Sequence, residues 1–230
     1  MTFWIGIPCL LMIVVLSLFT VRTRFAIARW TSETAGIRRR VESGADATIT
    51  PRSASSSPGA LPSCVERYLR AVLPNDLPPI TSVELSHAGL FNLGEHTDRW
   101  KPFASTQHVA LDPPGFDWDG RIHLFPGCTA FVRDAYLHGQ GTLLATLWGW
   151  IPLARQSGSG EIAHAELMRF LAEAVWYPFA LLPGNAVRWE PETEKTALAH
   201  LRHDSTTASL RFLFDEAGLK REDYFSILPL

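Results

Sequence analysis

The chain has 230 residues, 47% of them hydrophobic and 19% charged, with a formal net charge of −2. That is ample apolar material for a core and excludes disorder over most of the length, while the near-neutral balance excludes a surface built to neutralise many phosphates, so nucleic acid is not an expected partner. Cys9, Cys64 and Cys128 lie far apart with neither CxxC nor Cys/His spacing, which excludes a disulfide framework and a zinc site of known pattern.

The first element is FWIGIPCLLMIVVLSLFTV, Phe3 to Val21, which carries no charge. At 1.5 Å rise per residue it spans roughly 28 Å, close to a bilayer core, and predicts one transmembrane helix within residues 1–24. No basic residue precedes it, which speaks against a cleaved signal peptide. Arg22, Arg24, Arg29 and the run Arg38, Arg39 and Arg40 all follow it, and this bias places the remainder on the cytoplasmic side of the cell membrane. A lone segment can also insert against its bias, so a periplasmic or extracellular placement stays open. Residues 25–60 read as a basic juxtamembrane stretch and a flexible linker: Ser43 to Pro62 is small, polar and proline-punctuated, a coil with a span on the order of 25 Å.

Residues 61–230 read as one antiparallel sheet domain. Leu61 to Pro74 has Val65, Tyr68, Leu69, Val72 and Leu73 at helical spacing, with Ser63 as the expected N-cap. Beyond Pro79 the period becomes two. In GFDWDGRIHLF, Phe116, Trp118, Ile122 and Leu124 point one way and Asp117, Asp119, Arg121 and His123 the other, which predicts one buried and one wet face. Further strands are expected at Phe103–Leu111, Thr129–His138, Gly141–Leu147, Ala186–Glu190, Thr196–Arg202, Thr207–Asp215 and Leu219–Ile227. LRHDST and DEAG read as hairpin turns, so the sheet is antiparallel. A helix from about Gly160 to Trp176 interrupts the series. The expected class is α+β: a curved antiparallel sheet, an open half-barrel, with a crossing amphipathic helix and a short N-terminal helix, preceded by one transmembrane helix.

The stretches VERYLR (Val65–Arg70), WKPFASTQ (Trp100–Gln107), DPPGFDWDGRI (Asp112–Ile122), VRDAYLHGQG (Val132–Gly141), ELMRFLAEAVWYPFALLP (Glu166–Pro183) and VRWE (Val187–Glu190) occur in an order that resembles an uncharacterised bacterial family, a domain of unknown function in membrane-anchored proteins. More distantly, a curved sheet crossed by a helix is similar to the half-barrels of bacterial lipoprotein carriers. The first resemblance implies no reaction, and the second is an analogy of fold, which does not fix function.

Candidate sites follow from charge and aromatic placement. Glu166, Arg169 and Glu173 form one stripe on the interrupting helix; the simpler expectation is a solvated face with salt bridges worth about 0.2–0.5 kcal/mol each. The functional alternative has that stripe facing a cavity and meeting Gln107, His123 or Arg133. Asp117, Asp119 and Asp134 are expected on the wet face near Arg121 and Arg133 as cross-strand ion pairs. Trp100, Trp118, Trp148, Trp150, Trp176 and Trp189 either fill an aromatic core or line an apolar pocket, and the Trp148–Ile151 tip either meets a bilayer interface, closes over a ligand or tucks under the helix.

No histidine spacing makes a metal motif, and no nucleophile elbow, GxGxxG or P-loop occurs, so neither metal nor cofactor is expected. The expectation is a membrane-tethered module that binds an apolar or lipid-like ligand in the sheet's concavity. Its candidate contacts are Trp100, Phe103, Gln107, Trp118, Arg133, Tyr136, Trp148, Trp150, Glu166, Arg169, Glu173 and Trp176. The alternatives are an enzyme using Glu166 or Glu173 as acid or base, and a docking module for a membrane assembly.

Overall fold

A computed structural model describes residues 3–46, 61–74, 80–94, 96–182, 186–215 and 218–219. The apolar run opens a helix, α1 (Phe3–Asp46), whose first part is long and apolar enough to cross a membrane. The helix does not stop where the charges begin. Between Val21 and Gly36 there is neither proline nor glycine to break it. From Ala26 onward it acquires a buried stripe of Ala26, Trp30, Thr34 and Val41, four or seven residues apart and therefore on one face. Residues 25–46, expected as the basic juxtamembrane stretch and the start of the linker, are thus helical, and the stripe through Val41 is buried. The rest of the expected linker, 47–60, lies outside the described residues.

Helix α2 (Ser63–Val72) follows, with Ser63 in the first helical position rather than at the cap, which is Pro62. Its apolar face buries Cys64, Val65, Tyr68 and Leu69. Then comes a six-stranded antiparallel meander in chain order: β1 (Ser82–Asn92), β2 (Trp100–Ala110), β3 (Gly115–Phe125), β4 (Cys128–Leu137), β5 (Gln140–Leu147) and β6 (Ile151–Gly158). Helix α3 (Glu161–Glu173) and a single 3-10 turn at Pro178–Leu181 lead into a second antiparallel sheet. That sheet comprises β7 (Val187–Pro191), β8 (Thr196–His203), β9 (Thr206–Asp215) and β10 (Gly218–Leu219).

The class is α+β as expected, with an open, curved antiparallel sheet and a helix crossing it. The strands divide into two sheets because α3 and the 3-10 turn separate them. Strand β6 was not expected, since Pro152 and the polar ARQSG stretch weaken its strand signal; it forms at the sheet edge, where proline is tolerated. Of the strand expected at Leu219–Ile227, only its first residue is described, as the end of β10.

The two faces of the six-stranded sheet have different partners. Phe116, Trp118, Ile122 and Leu124 share the inner face, toward α3 and the core formed with α2, β8 and β9. Asp117, Asp119, Arg121 and Arg133 share the outer face, and the middle of that face is not wet: α1 covers it there, and Asp117 is 0% exposed. The Trp30 indole N–H donates to Asp119 Oδ1 at 2.8 Å and the Thr34 hydroxyl to Asp119 Oδ2 at 3.1 Å. Arg133 donates to the Trp30 carbonyl at 3.0 Å and to Thr34 Oγ1 at 2.6 Å, with its guanidinium 4.4 Å from the centroid of the Trp30 ring. Arg38 donates to Asp117 Oδ2 at 3.0 Å and to Thr106 Oγ1 at 2.8 Å.

Every charge on this covered face has an opposite charge beside it, as burial requires. Even so, burial outweighs the Arg38 and Arg133 charges at Asp117 and pushes its carboxyl up to about 6. Trp30 joins the apolar stripe to the ionic network, so Trp30→Ala removes a buried ring, one hydrogen bond and the cation–π contacts of Arg121 and Arg133 together. The full chain in detergent should lose about 3–5 kcal/mol of unfolding free energy, measured by thermal or denaturant melts; a loss within the ±0.5 kcal/mol typical of surface changes contradicts the docked helix.

Candidate functional site

Helix α3 starts at Gly160 and lies close on the inner face. At Gly141 a Cβ atom would collide with the backbone of Ile162 and Ala163, so glycine at this position permits the approach. The helix is buried on two sides. Leu167, Phe170, Leu171 and Ala174 enter the apolar core, whereas Glu166 and Glu173, 5% and 6% exposed, are buried on the stripe they share with Arg169. The expectation of a solvated charged face is therefore corrected: the stripe lies against the sheet.

Arg169 is the hub. Its Nε donates to Glu173 Oε1 at 2.8 Å and a terminal nitrogen bonds Asp134 Oδ2, while its guanidinium sits 5.0 Å from the Trp118 ring centroid and 5.5 Å from that of Phe116. Gln107 Nε2 donates to the other Glu173 oxygen at 2.6 Å. Gln107 Oε1 and Asp134 Oδ1 are buried without a hydrogen-bond partner among the described residues. Glu166 completes the group. Burial, then the Asp134 charge, pushes its carboxyl up to about 8, with Glu173 adding to the rise and Arg169 opposing it. Asp134 is likewise raised, by burial first. One guanidinium cannot hold three buried carboxylates ionised, so Glu166 is protonated at neutral pH.

Of the expected contacts, the fold thus unites Gln107, Trp118, Glu166, Arg169 and Glu173. It separates Arg133, which lies on the outer face against α1, and His123, exposed on that same face. Asp134, expected on the wet face, belongs to the inner cluster. Tyr136 is fully buried on the inner face with its hydroxyl 2.9 Å from His203 Nδ1, and burial pushes its phenol up to about 12. Trp176 stands at the rim beyond α3, its ring 5.0 Å from that of His87, which is 3.4 Å from Ser105 Oγ. Trp189 is a core tryptophan, packed on Phe212 with its N–H on the Leu181 carbonyl.

The remaining expected contacts lie toward the end of the sheet nearest the apolar half of α1. The strand register places Phe103, Ile122, Ala130 and Leu147 abreast across the sheet. Phe91, Phe103, Leu124, Val132 and Leu147 line this part of the inner face, and all but the exposed Phe91 are half-buried. Trp118 lies over Gly120, where a Cβ would collide with its ring, and forms part of the floor. Trp100 is exposed at the start of β2, and Trp148 and Trp150 flank the β5–β6 turn. Among the described residues no group of three His, Cys, Asp or Glu side chains is placed to hold a metal.

Residues 59–222 match the model of a family described as a family of unknown function, DUF6920. The chain belongs to this family. The DUF6920 span takes in α2, both sheets and α3, with the whole Arg169 cluster, and leaves α1 outside it. No curated protein and no solved structure matches the chain.

The cluster sets a pH signature. The Glu166 carboxyl sits above its ordinary value of 4.5, at about 8, so the stability it contributes is fully present below about pH 4.5 and is lost as pH rises through about 8. Glu166→Gln stays neutral throughout. Its unfolding free energy should match that of the wild type at about pH 4 and exceed it at about pH 9, by a gap on the order of a few kcal/mol. Parallel curves would remove the buried-acid assignment.

Proposed function

We propose that the chain is a single-pass membrane protein whose sheet domain holds an apolar, lipid-like ligand on the inner face of the six-stranded sheet, between α3 and the end nearest the bilayer. The observation that carries this reading is the half-buried apolar lining of Phe103, Leu124, Val132 and Leu147 on a face whose deeper part is closed by α3. Half-burial matters here. A core residue would be covered by protein, and a solvent-facing strand residue would be polar, whereas these positions keep apolar area available for a ligand. The inner boundary is polar: Gln107, Glu173 and Arg169 offer hydrogen-bonding groups to the polar end of an amphiphile, and the unpartnered Gln107 Oε1 is an acceptor at that boundary. The arginines that follow the apolar run favour the cytoplasmic side for the domain.

A second reading rests on Glu166 alone. A carboxylic acid whose burial pushes it up to about 8 is what a proton donor needs, and it makes Glu166 the residue to test in any search for acid–base chemistry.

The ligand reading is tested by native mass spectrometry and lipid extraction of the full chain, purified in a mild detergent and washed extensively. The wild type should retain one apolar molecule per chain. Val132→Asp places a charge against it and should lower retention about tenfold or more. Equal retention by the variant, or none by the wild type, contradicts the proposal.

A further inference from the structure

The end of the six-stranded sheet nearest the apolar half of α1 carries three strand ends: β1–β2, β3–β4 and β5–β6. The β5–β6 turn touches α1 directly. Phe19, within the uncharged run, meets the Trp148 ring edge-on at 5.0 Å and the Trp150 ring at 6.1 Å. Arg22 sits 4.5 Å over the Trp150 ring, and the Trp150 N–H donates to Thr23 Oγ1 at 3.3 Å. The turn therefore lies where the apolar run gives way to charge, the level at which tryptophan and arginine favour a membrane interface.

The β3–β4 end reaches a similar depth, and the register that sets Phe103 opposite Ile122 brings the β1–β2 end level with it. From the shared contact at Trp30 and Asp119, the helix descends about 16 Å to Phe19 and β3 about 20 Å to Phe125. The Trp148 indole N–H donates to the Gly127 carbonyl at 2.8 Å, tying the β3–β4 turn to the β5–β6 turn.

This end is also chemically unlike the opposite one. Among the described residues, the exposed large apolar side chains of the six strands are Leu90, Phe91, Trp100, Phe125 and Leu153, and all lie in the half of the sheet near α1's apolar run. Phe125 is 63% exposed and Leu90 61%. The turn at the far end, between β4 and β5, is His138–Gly139, an ordinary pair for positive φ. At the near end Trp148 occupies the equivalent left-handed position, with φ of 54°. A bulky aromatic there is strained, where asparagine, aspartate or glycine would fit freely. Strain of this kind is kept where the side chain has work at that spot.

We infer that these three strand ends form a membrane-contact rim, seated in the headgroup region of the leaflet that α1 enters, with Leu90, Trp100, Phe125, Trp148 and Trp150 as its interfacial side chains. The bilayer is the occupant because the rim is continuous with the emerging helix. Single turns of amphipathic aromatics anchor weakly, but beside a spanning helix they fix the domain's tilt and turn the half-buried inner lining toward lipid. The inference rests on α1 spanning the membrane, not on ligand binding.

The test is depth labelling of the full chain in vesicles of phosphatidylcholine and phosphatidylglycerol with brominated acyl chains. An environment-sensitive fluorophore is attached, in a Cys9→Ala background, to Met12→Cys, Leu90→Cys, Phe125→Cys or His138→Cys; Cys64 and Cys128 are buried. Labels at 90 and 125 should be quenched several-fold more strongly than the label at 138, and the label at 12 most of all. If 12 is quenched while 90 and 125 match 138, the rim is overturned and the spanning helix stands. If 12 also matches 138, both fall.

Discussion

The arrangement depends on the grip of Arg133, Asp117 and Asp119 on the second half of α1. Arg133 and Asp117 are almost wholly out of water beneath α1, and Trp30, Thr34 and Arg38 supply hydrogen bonds that offset the cost of burying this charged patch. The helix therefore does not tether the domain loosely. It is one layer of it, and the direction in which α1 leaves the sheet sets how the sheet faces whatever the apolar run enters.

From that constraint the two faces acquire different duties. The middle of the outer face is closed by α1, and the ligand proposed above is placed on the inner face. There the Arg169 cluster fastens α3 over the middle of the sheet, and the apolar lining that α3 leaves half-covered is at the end adjoining the emerging helix. Two buried ionic clusters on opposite faces of β3 and β4 are an unusual load for so small a sheet. Each is partnered by a helix that a purely apolar contact would have let slide. Their geometric content, the fixing of register and tilt, matters here more than any net stabilisation, which buried ion pairs seldom provide.

Much of this was legible in the chain and some was not. The alternation from Phe116 to Leu124 determined which side chains share a face, and the glycine and proline flanks of α3 bounded it well. What alternation could not say is that both faces are covered, because Asp117 and Asp119 look alike whether they meet water or Trp30. The Glu166, Arg169 and Glu173 stripe misled for the same reason: its partners, Gln107 and Asp134, come from strands remote in sequence. The stripe Ala26, Trp30, Thr34 and Val41 was present but masked, since two members are small or polar and the surrounding arginines read as a membrane flank. The Trp148–Gly149 pair was legible as an apolar turn, though its contact with Phe19, which leaves it half-buried, was not.

The most direct measurement is a cross-link between α1 and the β5–β6 turn in the intact membrane protein. A Cβ built at Gly149 would lie 3.6 Å from that of Ala26, within the range that a disulfide bridges. Full-length protein carrying Ala26→Cys and Gly149→Cys, oxidised in membranes and mapped by mass spectrometry, should show the 26–149 link at high yield in the folded chain, even allowing for the modest strain of a side chain at a φ of 81°. Free thiols at both positions, with α1 equally reactive along its whole second half, would mean that the helix is an undocked tether and that the orientation argued from it does not hold.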